Sequence, residues 1–321
     1  MTDPASLSPP VLAEFAAFRA FRSDAARWLP MAHDIARSHG VPWSDPVVFA
    51  TGTNLVVGIG DRLVLKIFPP LLVRQFISER ATLRAVAGRL RLDVPEIIHE
   101  GARDGWPYLI MTRLSGVLAS EVWPEMPEPD KERVLRQLGA VIAEMQLVPL
   151  GELTQITTGW ADVMREQIAG CRERHQRLGL APKFLDGLND LLRDARELIP
   201  MDARPVILTG EYIPENFLLT RHHDGWRVSG LFDFGDVFTG FGDYDLMGPS
   251  AFMAAGRPAR VRSLLEGFGY AKADIDGRLK RRLLALLLLH RQSDPNRHIC
   301  IPDWQARAAD LWELQELIWP G

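Results

Sequence analysis

The chain has 321 residues, 47% of them hydrophobic and 24% charged, with a formal net charge of -4. This is globular composition at a length one hydrophobic core rarely supports, so two compact domains are expected, and the weak negative charge argues against a nucleic-acid-binding surface. Two cysteines, Cys171 and Cys300, build neither a disulfide framework nor a thiolate metal site. Met1 to Pro10 lack the basic and apolar run of a secretory signal, and Leu283 to Leu289 is too short to cross a bilayer, so a cytoplasmic protein free of membrane is expected.

In chain order, residues 11 to 39 carry helical spacing, with apolar Leu12, Phe15, Phe18 and Phe21. Val47-Val48-Phe49 reads as a strand and Thr51-Gly52-Thr53-Asn54 as a turn cluster. Leu55 to Ile59 and Leu63 to Phe68 are two β-rich runs around Gly60-Asp61, closed by Pro69-Pro70. Residues 71 to 90 are predicted helical through Phe76, Leu83, Val86 and Leu90, and Glu96 to Glu100 and Tyr108 to Arg113 predict two more strands. Beyond Leu114-Ser115-Gly116, helices are predicted over 130 to 147, 160 to 179 and 183 to 198. A β-rich island follows over 206 to 233, then a mostly helical stretch over 241 to 318. The predicted class is α+β and bilobal. Residues 1 to 114 form a lobe around a small antiparallel sheet, and residues 115 to 321 form a mainly helical lobe with one embedded hairpin, the layout of a protein-kinase-like fold.

The chemistry concentrates in Val206 to Asp236. Gly210-Glu211-Tyr212-Ile213-Pro214-Glu215-Asn216 leads into the apolar run Phe217-Leu218-Leu219, a turn at His222 to Gly225, and a returning strand that ends in Asp233-Phe234-Gly235-Asp236. Glu211, Asn216 and Asp233 therefore stand at the ends of a hairpin. Phosphoryl transfer needs a carboxylate to orient the acceptor hydroxyl, and an amide oxygen plus a second carboxylate to hold magnesium against the phosphates. Kinases space these groups as Asp-x-x-x-x-Asn followed by Asp-Phe-Gly; here the spacing is Glu-x-x-x-x-Asn followed by Asp-Phe-Gly. Any one of these residues alone is as well explained as a turn residue.

The first lobe supplies Lys66 within the apolar strand Val64-Leu65-Lys66-Ile67-Phe68, with Glu79 on the following helix as its candidate partner. The competing expectations are an edge-strand lysine and a solvated glutamate. Thr53 and Asn54 are candidates to cover phosphates through backbone amides. Met111 would back an adenine pocket whose edge is read by the backbone of Thr112 to Leu114; an ordinary core strand is the alternative.

These residues resemble the aminoglycoside phosphotransferase family, relatives of the protein kinases, and within it the hygromycin-B 7''-O-kinases. The likeness covers nearly the whole chain. It includes Thr53-Asn54, Trp106 to Met111, Asp233 to Gly240, Leu287-Leu288-Leu289-His290 and Leu314 to Pro320. It implies ATP and Mg2+ as cofactors and a small cationic aminoglycoside as acceptor. Lys66 would bind the α- and β-phosphates with Glu79 positioning it, Asn216 and Asp233 would bind magnesium, and Glu211 would stand at the catalytic carboxylate. It also implies a monomer or weak dimer.

The chain departs from the family where Thr209-Gly210-Glu211 replaces His-Gly-Asp. Glutamate is one methylene longer, and a misplacement of roughly 1 Å can cost about a hundredfold in rate. Thr209 lacks the histidine ring, though its hydroxyl can bond locally. Asp236, Glu215, Asp243 and Asp245 make an acidic neighbourhood suited to a cationic acceptor, and Asp243-Tyr244-Asp245 equally suits a helix N-cap. Three readings stay open: an aminoglycoside kinase, a kinase for another acceptor (sugar, amino alcohol or macrolide), and a pseudokinase that binds nucleotide without transfer.

Overall fold

The structure is a computed structural model that describes residues 14–321. Met1 to Pro10 and Leu12 lie outside them. The chain divides into two compact units. The first comprises the chain up to Ala87, Asp93–Ser115 and the short segment Phe232–Asp236; the second comprises Gly88–Leu92, Gly116–Leu231 and Val237–Gly321.

In the first unit, the single helix expected over 11 to 39 is two helices, α1 (Phe15–Ser23) and α2 (Ala25–Ser38). The break falls at Asp24, which leaves helical geometry with ψ 86. Ser and Asp side chains compete with the backbone for hydrogen bonds, which makes Ser23-Asp24 a natural boundary. The bend lets Phe18 and Phe21 from α1, and Trp28, Met31 and Ile35 from α2, join one core with Leu55, Leu65, Ile67 and Trp106.

That core packs on a five-stranded antiparallel sheet of β1 (Val47–Val48), β2 (Leu55–Ile59), β3 (Leu63–Ile67), β4 (Ile97–Arg103) and β5 (Trp106–Thr112), ordered β1-β2-β3-β5-β4. The β4–β5 hairpin turns through Asp104 and Gly105, both at positive φ (48 and 83), the pairing a tight two-residue hairpin demands. The helix predicted over 71 to 90 is shorter. A 3₁₀ turn at Pro70–Leu72 leads into α3 (Val73–Val86), which buries Ser78, Glu79, Thr82, Leu83 and Val86.

The second unit holds a three-stranded sheet, β6-β8-β9, built from β6 (Val117–Leu118), β8 (Phe217–His222) and β9 (Gly225–Leu231). A two-stranded pair joins β7 (Val206–Leu208) to β10 (Phe238–Gly240). Around these lie α4 (Glu128–Met145), α5 (Trp160–Arg177), α6 (Pro182–Leu198), α7 (Pro258–Phe268), α8 (Gly277–Leu289) and α9 (Leu311–Ile318). Helices α4 and α7 approach closely because Gly139 and Gly267 face each other's backbones: a Cβ at Gly139 would lie 2.3 Å from the carbonyl oxygen of Leu264. The leucine run Leu283–Leu289 is the buried face of α8, as its composition predicts. No described helix is long and apolar enough to cross a membrane.

Candidate active site

Lys66 sits on β3, the central strand of the first unit's sheet, paired across to Val56 on one side and Leu109 on the other. It is not an edge lysine. Its ammonium lies 2.5 Å from Glu79 Oε2 and 2.9 Å from Asp233 Oδ1. Glu79 is 2% exposed, so the solvated-face alternative fails as well. Burial opposes the charge on Lys66, but Asp233 and Glu79 outweigh it and hold the ammonium above the usual lysine range. Burial pushes the Glu79 carboxyl up to about 7, with Lys66 working against that rise. Asp233 moves the other way: the Lys66 charge holds its carboxyl below the ordinary range despite burial. Asp233 also takes φ 68, a left-handed conformation that costs a non-glycine residue about 1–2 kcal/mol. Strain of this kind at a carboxylate fixed by a buried ammonium marks a positioned group rather than a turn residue.

A second polar chain runs beside the first. The Asn54 side-chain amide donates to Gln75 Oε1 at 2.9 Å, and Gln75 Nε2 donates to Asp236 Oδ2 at 3.1 Å. Asn54 is buried, and the carbonyls of Ala50 and Asn54 accept from the Arg22 guanidinium of α1. The loop carrying Gly52 and exposed Thr53 is thus tied at its backbone from behind. On β5, in the segment expected to form a hinge, Met111 is buried. The Thr112 N–H donates to the Glu96 carbonyl and the Arg113 N–H to that of Arg62, so neither amide is available to a nucleotide base. Of the backbone groups expected to read a base edge over Thr112 to Leu114, these two amides are engaged within the fold. For the Leu114 amide no such bond is found among the described residues.

In the second unit, Thr209-Gly210-Glu211 leaves β7 as a loop with Gly210 at φ +67. Asp245 holds it: Thr209 N–H donates to Oδ2 at 3.0 Å and Gly210 N–H to Oδ1 at 2.7 Å. Asp245 is 2% exposed, and burial pushes its carboxyl up to about 7 against those two amides. The Thr209 hydroxyl accepts from the Glu211 N–H at 3.3 Å, the local bond its type allows. The Glu211 carbonyl accepts from the Ile213 N–H at 2.8 Å and from Asn216 Nδ2 at 3.1 Å. That second bond orients the Asn216 amide so that its oxygen is the atom left to offer a cation.

A further anchor comes from the C-terminal end of α8. His290 Nε2 donates to the Gly210 carbonyl at 3.0 Å, and His290 Nδ1 accepts from the Gln292 N–H at 3.2 Å. These two bonds fix a neutral imidazole, and burial pushes its pKa down to about 4. The ring stacks on Tyr244, centroids 4.6 Å apart. The end of α8 is itself pinned, because the Leu288 carbonyl accepts from His175 Nε2 at 2.8 Å and from Arg174 at 2.7 Å. Helix C-terminal carbonyls lack intrahelical partners, so such donors satisfy them and favour the helix dipole.

Asp243 and Asp245 are neither N-caps nor ligands facing an acceptor. Gly242–Leu246 is a 3₁₀ turn without a side-chain cap. Asp243, 3% exposed, accepts from Tyr270 Oη at 2.8 Å and from Arg282 Nε at 2.7 Å. A buried carboxylate needs compensation of this kind, and Tyr270 and Arg282 supply it here. Glu215 is exposed, and Asp303 occupies the N-cap position before Trp304 without a side-chain cap bond.

Residues 35–284 match the profile described as the phosphotransferase enzyme family. The chain belongs to that family. No curated protein sequence matches it. Among solved structures, this phosphotransferase is similar to the GDP complex of wild-type aminoglycoside 2'-phosphotransferase-IIIa, with TM-score 0.67, 17% identity, and 90% of this chain and 97% of that chain covered. It is also similar to the GDP and kanamycin complex of APH(2")-IIia, with TM-score 0.63, 18% identity, and 80% and 88% covered. A third is macrolide 2'-phosphotransferase MphH from Brachybacterium faecium, as apoenzyme, with TM-score 0.51, 17% identity, and 79% and 89% covered. At these identities the likeness establishes the kinase-like fold.

In this phosphotransferase, a cavity of about 550 Å³, counting its open mouth, lies beside Glu211 within the second unit. Its walls include Ile213, Met247, Ala251, Phe252, Leu287 and His290. One wall is the π-helical turn Pro249–Ala254, a widened geometry that recurs at functional sites. Sequence reasoning missed Gln75, Arg22, this turn and the role of His290. Gln75 lies one helical turn before Glu79, a spacing that puts both on one face of α3 and was the available signal. His290 closes an otherwise apolar run, the sequence mark of a polar group with a specific partner.

Proposed function

We propose that this chain transfers the γ-phosphate of ATP to a hydroxyl of a small organic acceptor. The observation that carries the proposal is the buried ammonium of Lys66 held charged between Glu79 and Asp233. A pure structural ion pair needs one carboxylate; the second, strained and part-exposed, suits a lysine that faces phosphate oxygens. In this reading Lys66 binds the α- and β-phosphates, and Glu79 keeps it from collapsing elsewhere. Asp233 in the first unit and Asn216 in the second carry a carboxylate and an amide oxygen, the donor types magnesium prefers, and by the family resemblance each would hold that ion. When bound, magnesium would neutralise phosphate charge. Glu211 accepts the proton of the acceptor hydroxyl as its oxygen forms a bond to the γ-phosphorus and the bond to the β-phosphate oxygen breaks, releasing ADP.

The acceptor that the sequence resemblance nominates is an aminoglycoside of the hygromycin B type, whose amines exposed Glu215 would meet. A second reading, an acceptor of low charge, is favoured by the apolar walls of the cavity beside Glu211. The test is transfer of label from [γ-³²P]ATP with magnesium to hygromycin B, kanamycin, a macrolide and simple amino alcohols. Transfer to any of them, lost in Glu211→Ala and Lys66→Met, supports the proposal. ATP binding without transfer to any acceptor supports the pseudokinase reading, and an undiminished Glu211→Ala variant removes Glu211 from the mechanism.

A further inference from the structure

We infer that the cavity beside Glu211 is a subsite for a compact hydroxyl compound with an apolar body and at most one positive charge, and not for a polycation. The choice of Glu211 as the group that meets the hydroxyl rests on the phosphotransfer reading above; the character of the walls does not. Ile213, Met247, Ala251, Phe252 and Leu287 supply hydrocarbon surface, and Glu211 is the one carboxylate among the residues that line the space.

The two histidines add no charge of either sign. His290 is fixed as a neutral tautomer by its bonds to Gly210 and Gln292. His298 accepts at Nδ1 from the Asp294 N–H at 3.2 Å, and burial lowers its pKa. Its ring lies 5.0 Å from that of Phe252, which turns the pair into one aromatic wall. Asp243 and Asp245, the acidic residues nearest in sequence to the wall of Met247 and Ala251, are committed to Tyr270, Arg282 and the loop amides. Several ammonium groups stripped of water need several carboxylates in return, and one carboxylate compensates one charge. Only about 120 Å³ of the cavity is accessible to solvent and the rest is its open mouth, which restricts the subsite to a compact group, and the wall turn Pro249–Ala254 is π-helical.

The test is calorimetric titration of the full chain with 2-phenylethanol, 3-phenyl-1-propanol and 4-phenyl-1-butanol, beside hygromycin B and kanamycin. The expected result is a Kd that tightens about fourfold per added methylene, as burial of hydrocarbon predicts. That Kd should stay within about twofold between roughly 50 and 500 mM salt, since no long-range charge is involved. Phe252→Ala should weaken 4-phenyl-1-butanol about tenfold, and Phe252→Leu should restore most of it. The inference is overturned if the two aminoglycosides bind more tightly than any alcohol and weaken steeply with salt, if chain length has no effect, or if no alcohol binds. Transfer of ³²P to the same compounds is scored separately. Chain-length-dependent binding without transfer sinks the phosphotransfer reading and leaves the subsite standing; transfer to hygromycin B with no chain-length dependence does the reverse.

Discussion

Replacing Lys66 with methionine removes the ammonium from between two carboxylates and should produce a stability defect that grows with pH. Glu79 is left buried without its partner. Stranding a buried charge in this way costs about 3–5 kcal/mol, unless the carboxyl escapes by taking a proton. Burial already pushes Glu79 up to about 7 while the Lys66 charge pulls it down, so removing Lys66 raises it further. At pH 6 the variant's Glu79 is neutral, and the loss reduces to hydrogen bonds, about 1–2 kcal/mol. Each pH unit between the native value of about 7 and the variant's higher folded pKa then adds about 1.4 kcal/mol to the gap, which levels off above that pKa. A carboxyl whose folded pKa is raised contributes stability that is present below its unfolded pKa and lost as pH rises through the folded one. Lys66 is also what holds the Asp233 carboxyl low, so its removal lets burial raise that carboxyl too, in the same direction as Glu79. Denaturant midpoints at pH 6 and pH 9, at constant m, should therefore show the Lys66→Met penalty widening by about 2–3 kcal/mol. Lys66→Met/Glu79→Leu should flatten the dependence. A penalty equal at both pH values, or larger at pH 6, would refute the coupling.

Three further outcomes follow from the loop anchors. His290→Asn keeps a donor for the Gly210 carbonyl but no titrating ring. Because the His290 pKa is pushed down to about 4, native stability relative to this variant should be full above pH 6.5 and fall as pH drops toward 4, measured by denaturant titration. Asp245→Asn leaves one of two buried loop amides facing an amino group, and should cost about 1–3 kcal/mol and lower kcat more than it raises KM for ATP. Gly210→Ala has room for its methyl, the nearest atoms lying 3.6 Å away, but must hold φ +67, so its denaturant midpoint should report about 1–2 kcal/mol of backbone strain and no more.

What the sequence made legible was local order. A lysine inside an apolar strand, a glutamate on the next helix and the run Glu211 to Asn216 to Asp233 are patterns within or between neighbouring elements, and their element types hold in the structure. What it hid were partners distant along the chain. Asp243 and Asp245 show as carboxylates in the sequence, and only folding reveals that Arg282 and Tyr270 claim the first and the loop amides at Thr209 and Gly210 the second. The end of β5 shows the same limit: the bond from the Thr112 amide to Glu96 is visible only in the fold. The split between α1 and α2 was written in Ser23-Asp24 but outweighed by apolar spacing on both sides.

The departure from His-Gly-Asp takes on a different meaning beside these anchors. A histidine at Thr209 would bring its own ring to the loop. Here Tyr244, Phe238 and His290 supply rings instead: Tyr244 meets Phe238 edge-on at 5.1 Å and His290 face-on at 4.6 Å, and all three rings approach Gly210. The backbone of the loop is fixed at two amides and a carbonyl by Asp245 and His290, none of which depends on the side chain at 209. The Thr209 hydroxyl adds only the contact to the Glu211 amide. A loop held through its backbone tolerates exchange of its side chains, so on the proposed phosphotransfer reading the longer reach of Glu211 would be a matter of where the acceptor hydroxyl sits. On that reading the burden of fit falls on Ile213, Phe252 and the π-helical turn that line the cavity beside it, and it is there that a change of acceptor would be written.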